Sequence, residues 1–309
     1  MNRARSALQF VHGNLNAVKM RRIKFSIYVL SAIAVAACGG SGQRAVNSTT
    51  KNFDSAKIVS ANGSITETLC ALGFQKNIVG TDVTSTYPEA ISGLPKIGHN
   101  RNISAEAIIA LHPDLLIGLQ QSLNPDLQQQ LAAANIRVIS LPLVYSVAGT
   151  KTLVQSIADS LNVSPKAQQV KDGIDKDLAT RVVLKSHPKV LFIYARGAGT
   201  LMVAGRNTPA SAIIELAGAT NAANSFEDFK PLTPEALLES NPDVILMFDS
   251  GLESLGGIEG LLKIPGIAQT NAGKRRKVIE MDGQLLTGFG PRLGLAVATL
   301  SKELNDAQK

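Results

Sequence analysis

Ile103-Ser104-Ala105-Glu106-Ala107 followed by Pro113-Asp114-Leu115-Leu116-Ile117 returns, 129 residues later, as Leu232-Thr233-Pro234-Glu235-Ala236 followed by Pro242-Asp243-Val244-Ile245-Leu246. Pro stands seven positions after Glu in both copies. Ser104 and Thr233 suit helix caps, and a Glu two places on favours the positive end of a helix. Each copy then reads as helix, stop and apolar strand.

The surroundings keep the same rhythm. Strands are expected at Lys57–Ser60, Ile78–Gly80, Asp114–Gly118 and Arg137–Leu141, with helices at Ile65–Leu72, Glu106–Leu111 and Leu127–Ala134. The second half repeats the alternation: strand Lys189–Tyr194, helices Ala210–Ala217 and Pro234–Glu239, strand Asp243–Phe248. Short apolar strands between helices predict α/β lobes with mostly parallel sheets. Between them Ser164–Ser186 is rich in charge, with Pro165 near its start and Val170, Ile174, Leu178 and Val182 four apart. It predicts one helix of about 20 residues, about 30 Å long, joining two Rossmann-like α/β lobes across a ligand cleft. The expected domains are an N-terminal lobe at 54–163, a linker helix at 164–186 and a C-terminal lobe at 187–309.

Residues 1–37 are read as a signal peptide with Met20 as its start. Arg21, Arg22 and Lys24 precede the apolar run Ile27–Ala37, which ends in small residues before Cys38. Eleven residues rise only about 16 Å as a helix, short of a bilayer core of roughly 30 Å. Basic, apolar and small-residue regions in that order form a secretory address. Val35-Ala36-Ala37-Cys38 resembles a bacterial lipobox, which implies lipidation of Cys38 and a cell-envelope location on the periplasmic or extracytoplasmic face. Residues 38–53 are Gly-, Ser-, Thr- and Asn-rich, a flexible tether.

This leader also explains the charge. The 309-residue chain carries +7, with 31 basic and 24 acidic residues. Arg3, Arg5, Lys19, Arg21, Arg22 and Lys24 all lie in the leader, leaving 25 basic against 24 acidic residues. A near-neutral body gives no nucleic-acid footprint. Two Cys exclude a disulfide framework, and Cys70 in an apolar run reads as a buried free thiol.

Catalytic signatures are missing: no Gly-x-Ser-x-Gly, no phosphate loop, no His-Glu-x-x-His. Gly288-Phe289-Gly290-Pro291-Arg292-Leu293-Gly294 imitates a dinucleotide fingerprint only loosely. Among the His residues, His112 and His187 each precede Pro at an element's end and read as surface or capping groups. His99 lies in the loop Lys96-Ile97-Gly98-His99-Asn100-Arg101, expected on the cleft side.

Further stretches complete a pattern. They are Gly80-Thr81-Asp82 with Thr84-Ser85-Thr86-Tyr87-Pro88, Leu94-Pro95-Lys96-Ile97-Gly98, Val203-Ala204-Gly205-Arg206-Asn207-Thr208, Lys230-Pro231-Leu232-Thr233 and Gly288-Phe289-Gly290-Pro291-Arg292. From about residue 54 to 305 the chain resembles the substrate-binding proteins of cobalamin- and siderophore-type ABC importers, and within them the haem-binding branch. The resemblance implies haem as transported ligand, not catalytic cofactor, and no enzyme activity. It implies an iron ligand at His99, where the branch carries Tyr, with Arg101 beside it and Tyr87 in reserve. Arg196, Arg206 and Arg292 are candidates for the haem propionates, because a guanidinium fork can bond both carboxylate oxygens. Met202 either lines the ring or belongs to the core. Glu106 and Glu235 match the acids that dock such proteins, one per lobe, onto a permease with separate ATPase subunits. A monomer held at the membrane by its lipid is expected. Rival readings are the same role for cobalamin or a ferric siderophore, a haem scavenger or chaperone, and a tetrapyrrole- or metal-processing enzyme.

Overall fold

The computed structural model describes residues 53–309; the expected signal peptide, Cys38 and nearly all of the tether lie outside them. The first lobe runs β1 (Ile58–Ser60), α1 (Gly63–Ala71), β2 (Ile78–Thr81), β3 (Gly98–His99), β4 (Asn102–Ile103), α2 (Ala105–Ala110), β5 (Leu115–Leu119), α3 (Pro125–Ala133) and β6 (Arg137–Leu141). Its sheet has the order β2-β1-β5-β6, every pair parallel. A parallel sheet needs cover on both faces. One face packs Ile58, Leu115 and Ile117 with α1, and the other packs Val59 and Leu116 with Ile108, Leu127 and Leu131.

Two helices follow, α4 (Val147–Ser160) and α5 (Lys166–Leu178). The second lobe then comprises β7 (Lys189–Ala195), β8 (Leu201–Ala204), α6 (Pro209–Leu216), β9 (Thr220–Asn221), β10 (Phe229–Pro231), α7 (Pro234–Ser240) and β11 (Val244–Phe248). It ends with α8 (Asp249–Ser254), α9 (Gly257–Leu262), α10 (Asn271–Arg275), β12 (Val278–Met281), α11 (Gly283–Thr287) and α12 (Leu293–Ala307). Its sheet runs β10-β8-β7-β11-β12, with β9 also paired to β7. β7, β11 and β12 are parallel, while β8 and β10 are antiparallel additions at one edge.

The linker is shorter than its periodicity predicts. Helix α5 has 13 residues, about 20 Å of rise, and stops at Leu178. Beyond it the Arg181 guanidinium donates to the Leu216 carbonyl at 2.8 Å and the Val182 amide donates to Ser301 Oγ at 3.0 Å. These bonds to the second lobe take the chain out of its helical path. Val170, Ile174 and Leu178 do pack inward, whereas Val182 lies past the helix end. The connector also lies against α12. A methyl group on Gly294 would sit 2.4 Å from the Ile174 carbonyl oxygen, so only glycine allows this approach. Helix α4 adds a second tie, Thr150 Oγ1 donating to the Phe289 carbonyl at 3.2 Å.

Both repeated units fold as expected. The Ala107 amide donates to Ser104 Oγ at 3.1 Å, and the Ala236 amide to Thr233 Oγ1 at 3.2 Å. His112 and Asn241, 129 apart, both take the left-handed conformation that turns the chain before Pro. Asp114 and Asp243 then accept from the backbone amides of Lys57 and Lys189, at 2.8 and 3.0 Å, pinning the start of the neighbouring strand.

Candidate ligand-binding cleft

The chain segments that leave the carboxyl ends of the strands bring the two lobes together. Open parallel sheets place ligands at this edge. From the first lobe come α1 after β1, and the loop Asp82–Pro88 after β2. From the second come α11 after β12, and Gly288–Arg292 beyond it.

Glu67, on α1, is 5% exposed and draws its hydrogen bonds from the opposite lobe. Arg292 Nε donates to Oε2 at 3.0 Å, and Nη2 donates to Oε1 at 2.6 Å. Gln284 Nε2 donates to Oε1 at 2.6 Å. The Gln284 carbonyl in turn accepts from the Thr86 amide at 2.5 Å, Thr86 Oγ1 at 2.9 Å and the Tyr87 amide at 3.0 Å. The Arg292 guanidinium lies 3.6 Å from the centre of the Tyr87 ring, a cation–π contact. The Tyr87 side of this stack is open, with 45% of the residue exposed.

Asp82 is fully buried and shapes the loop below Tyr87. Its carboxylate accepts from the Thr84 amide at 3.0 Å, from the Thr84 hydroxyl and from Ser85 Oγ at 2.5 Å. Lys96 Nζ crosses beneath, donating to Thr81 Oγ1 at 2.8 Å. Burial pulls the Lys96 ammonium below its ordinary range, and the Asp82 charge works against that shift.

His99 sits on the two-stranded hairpin β3–β4. Gly98 begins it with φ of 104°, and a Cβ there would meet the Asn102 carbonyl oxygen at 2.6 Å. Glycine therefore aims the His99 turn. The Arg101 amide donates to His99 Nδ1 at 3.2 Å, so the neutral ring carries its proton on Nε2. A metal bound through Nε2 calls for the tautomer with its proton on Nδ1, which gives up this hydrogen bond. Asn100 in the same turn reaches Thr84 Oγ1 at 3.4 Å through Nδ2, while its buried Oδ1 has no partner among the described residues. Arg101 is exposed, and its charge acts on Tyr145. Burial raises the Tyr145 hydroxyl above its ordinary pKa and Arg101 opposes this. The Tyr145 ring meets Phe289 at 5.3 Å, joining the hairpin's surroundings to the second lobe.

The other expected residues separate into groups. Arg196 is exposed in the turn from β7 to β8. Met202 is half-buried opposite Tyr194, and the Tyr194 ring meets Phe248 at 6.1 Å. Arg206 is not brought to this edge. Strand β8 starts beside Ala195 and runs antiparallel to β7, so Arg206 lies toward the other end of the sheet, facing Glu227 at 3.6 Å. Glu106 and Glu235 are exposed in the first turns of α2 and α7. Hydrogen bonds from its own backbone amide and from Ser104 hold the Glu106 carboxyl below its ordinary pKa. Cys70 is half-buried, its thiol pushed up to about 11 by burial and by the nearby Glu67 charge.

Glu67, Gln284 and Tyr145 were not anticipated. A charge inside the apolar helix Ile65–Leu72 was the available signal for Glu67. Its partners lie 217 and 225 positions away, beyond any periodicity.

The family model described as "Periplasmic binding protein" matches residues 58–285. The periplasmic heme-binding protein RhuT from Roseiflexus sp. RS-1 is 39% identical, over 82% of this chain and 100% of that one, with a TM-score of 0.79. The periplasmic heme-binding protein BhuT, solved with two hemes, is 36% identical over 82% and 99%, with a TM-score of 0.78. An uncharacterized ABC transporter substrate-binding lipoprotein of Bacillus subtilis, YvrC, is 28% identical over 80% of this chain and 79% of its own. Two lobes facing through the carboxyl ends of their sheets, and a family match across both, agree: the chain belongs to the periplasmic binding protein family.

Proposed function

We propose that this chain is the substrate-binding component of an ABC importer and that it carries haem in the interlobe cleft. The likeness to RhuT along that protein's whole length carries the reading. The cleft chemistry supports it: a guanidinium, a phenol and an imidazole stand on loops of the facing sheet edges, suited to a planar ferric tetrapyrrole with carboxylate arms. His99 is the proposed iron ligand with Arg101 as its neighbour, and Tyr87 is the reserve. Arg292 and Arg196 are the propionate partners, and Met202 lines the cleft wall. The lobes are taken as 54–163 and 187–309, with 164–186 between them. Cys38 carries the anchor, and residues 1–37 are its leader. Glu106 and Glu235 dock the lobes on a permease whose separate ATPase subunits drive release.

Absorption titration with hemin, cyanocobalamin and a ferric siderophore tests the cargo. A saturable Soret band with hemin, weakened in His99→Ala, is the expected result. Hemin binding unchanged by that substitution keeps the cargo and moves the iron to Tyr87 or to the second lobe. Binding of cyanocobalamin or the siderophore in place of hemin removes haem from the proposal. Docking is tested by Glu106→Lys with Glu235→Lys, which is expected to abolish uptake into cells while leaving hemin affinity unchanged.

A further inference from the structure

A guanidinium has two edges that can each hold a carboxylate. One is formed by Nε and Nη2, the other by Nη1 and Nη2. Glu67 occupies the first edge of Arg292, through the 3.0 Å and 2.6 Å bonds. Among the described residues no partner of Nη1 accompanies them. The flat face of the same group rests on Tyr87 at 3.6 Å. Arg292 is thereby fixed on one edge and one face, with its remaining edge free and its side chain still 20% exposed.

The fixing group is unusual in its supply of partners. Glu67 is nearly buried on the first lobe, yet Arg292 and Gln284 both reach it from the second. Gln284 binds Glu67 with its nitrogen and the Tyr87 loop with its oxygen, so it couples the carboxylate to the loop that carries the ring. A buried carboxylate stripped of such donors is costly, so the arrangement holds its own geometry.

We infer that Glu67 is a positioning residue that turns the Nη1/Nη2 edge of Arg292 toward the cleft, where it selects a ligand bearing a free carboxylate. The inference rests on the haem reading and sharpens it. Haem presents propionate carboxylates, whereas the side chains of cobalamin end in amides, which lack the charge. Binding does not displace Glu67, because the two carboxylates use different edges of one guanidinium.

The test compares hemin with hemin dimethyl ester, whose carboxylates are blocked, in the wild-type protein, Glu67→Gln and Arg292→Lys. A charge-assisted pair is worth about tenfold to a hundredfold in affinity, and wild type should favour hemin over the ester by that ratio. In Glu67→Gln the ratio should collapse toward one while ester affinity stays within about threefold, because the guanidinium loses its orienting partner. Arg292→Lys keeps the charge but has no second edge, and its ratio should collapse as well. Thermal melts establish that each variant is folded, and Glu67→Asp, which keeps the charge but is too short to hold the same guanidinium edge, stands in if Glu67→Gln is not. A wild-type ratio near one overturns the inference, as does a folded Glu67→Gln or Arg292→Lys that keeps the full ratio. Equal loss of hemin and ester, leaving the ratio intact, assigns Glu67 a purely structural role and likewise overturns it. Hemin failing to bind wild type while cyanocobalamin binds is a failure of the haem reading itself, a separate result.

Discussion

One fifteen-residue unit occurs twice in this molecule, and its two copies sit in different sheets. In the first lobe, Ile103–Ile117 feeds β5, an interior strand of a sheet that is parallel throughout. In the second, Leu232–Leu246 feeds β11, beside parallel neighbours; each unit follows an antiparallel strand, β4 of a separate two-stranded hairpin in the first lobe and β10 at the edge of the main sheet in the second. Inside the unit little differs: a hydroxyl cap, a left-handed residue, a Pro, and an Asp that pins the adjacent strand. Near-neighbour chemistry suffices for the unit. Its surroundings differ in what the preceding strand pairs with, β3 in the first lobe and β8 in the second. The lobes also divide the cleft by charge, the first supplying the buried Glu67 and the second the Arg292 and Gln284 that meet it.

Matched substitutions put that comparison under strain. Ile117 and Leu246 occupy equivalent positions and are both fully buried. Truncating either to Ala should cost roughly 2–5 kcal/mol. The connecting helices pack on both lobes and Glu67 pairs across them, so each variant should unfold in one urea transition; two separate transitions in circular dichroism would show that the lobes are independent. Asp114→Ala and Asp243→Ala each remove a charged acceptor from a strand amide, and about 1.5 kcal/mol should be lost in either lobe. A difference above about 1 kcal/mol between them breaks the equivalence of the two units.

The caps come next. Ser104→Ala and Thr233→Ala should each cost about 1 kcal/mol by denaturant melting. The first copy has an additional contact, Ser104 Oγ donating to Glu106 Oε2 at 2.9 Å. Glu106 is held below its usual value of 4.5, so its contribution is present above that pH and is lost as the pH falls through the lowered folded value. The cap cost in the first lobe should therefore shrink in acid while that in the second changes less. Cys70 has no counterpart in the second lobe. Its unfolded thiol ionises near 9.0 and its folded thiol near 11, so stability should decline as pH rises between the two. At pH 8 the folded thiol should react with Ellman's reagent far more slowly than the urea-unfolded chain, and equal rates would refute its half-buried placement.

Much of the fold could be read along the chain, because strands β1, β2, β5, β6, β7 and β11 are short apolar runs with clear punctuation. Strand β10 escaped because Lys230 and Pro231 interrupt its apolar character, and the apolar run Leu201–Ala204 of β8 becomes a strand through its pairing with β7 and β10. The hairpin β3–β4 is only two residues per strand, too short for any periodicity. The 13-residue end of α5 escaped for a related reason: the bonds that stop it come from Leu216 and Ser301, distant in sequence. Of the candidate site residues, His99, Arg101, Tyr87, Arg292 and Arg206 were all named through the same family resemblance. Strand direction placed Arg206 elsewhere, since an antiparallel neighbour reverses which end faces the cleft.

The sequence by itself determined two α/β lobes, their internal echo and the neutral charge of the body, because caps, apolar periodicity and charge counts act within a few residues or need no geometry. Tertiary structure alone decided that Glu67 meets Arg292, that Arg292 lies on Tyr87, and that the linker rests against α12. Those contacts join residues 120 to 225 positions apart. Hydrogen bonding and burial act through distance in space, and the order of residues fixes that distance only once the sheets are assembled.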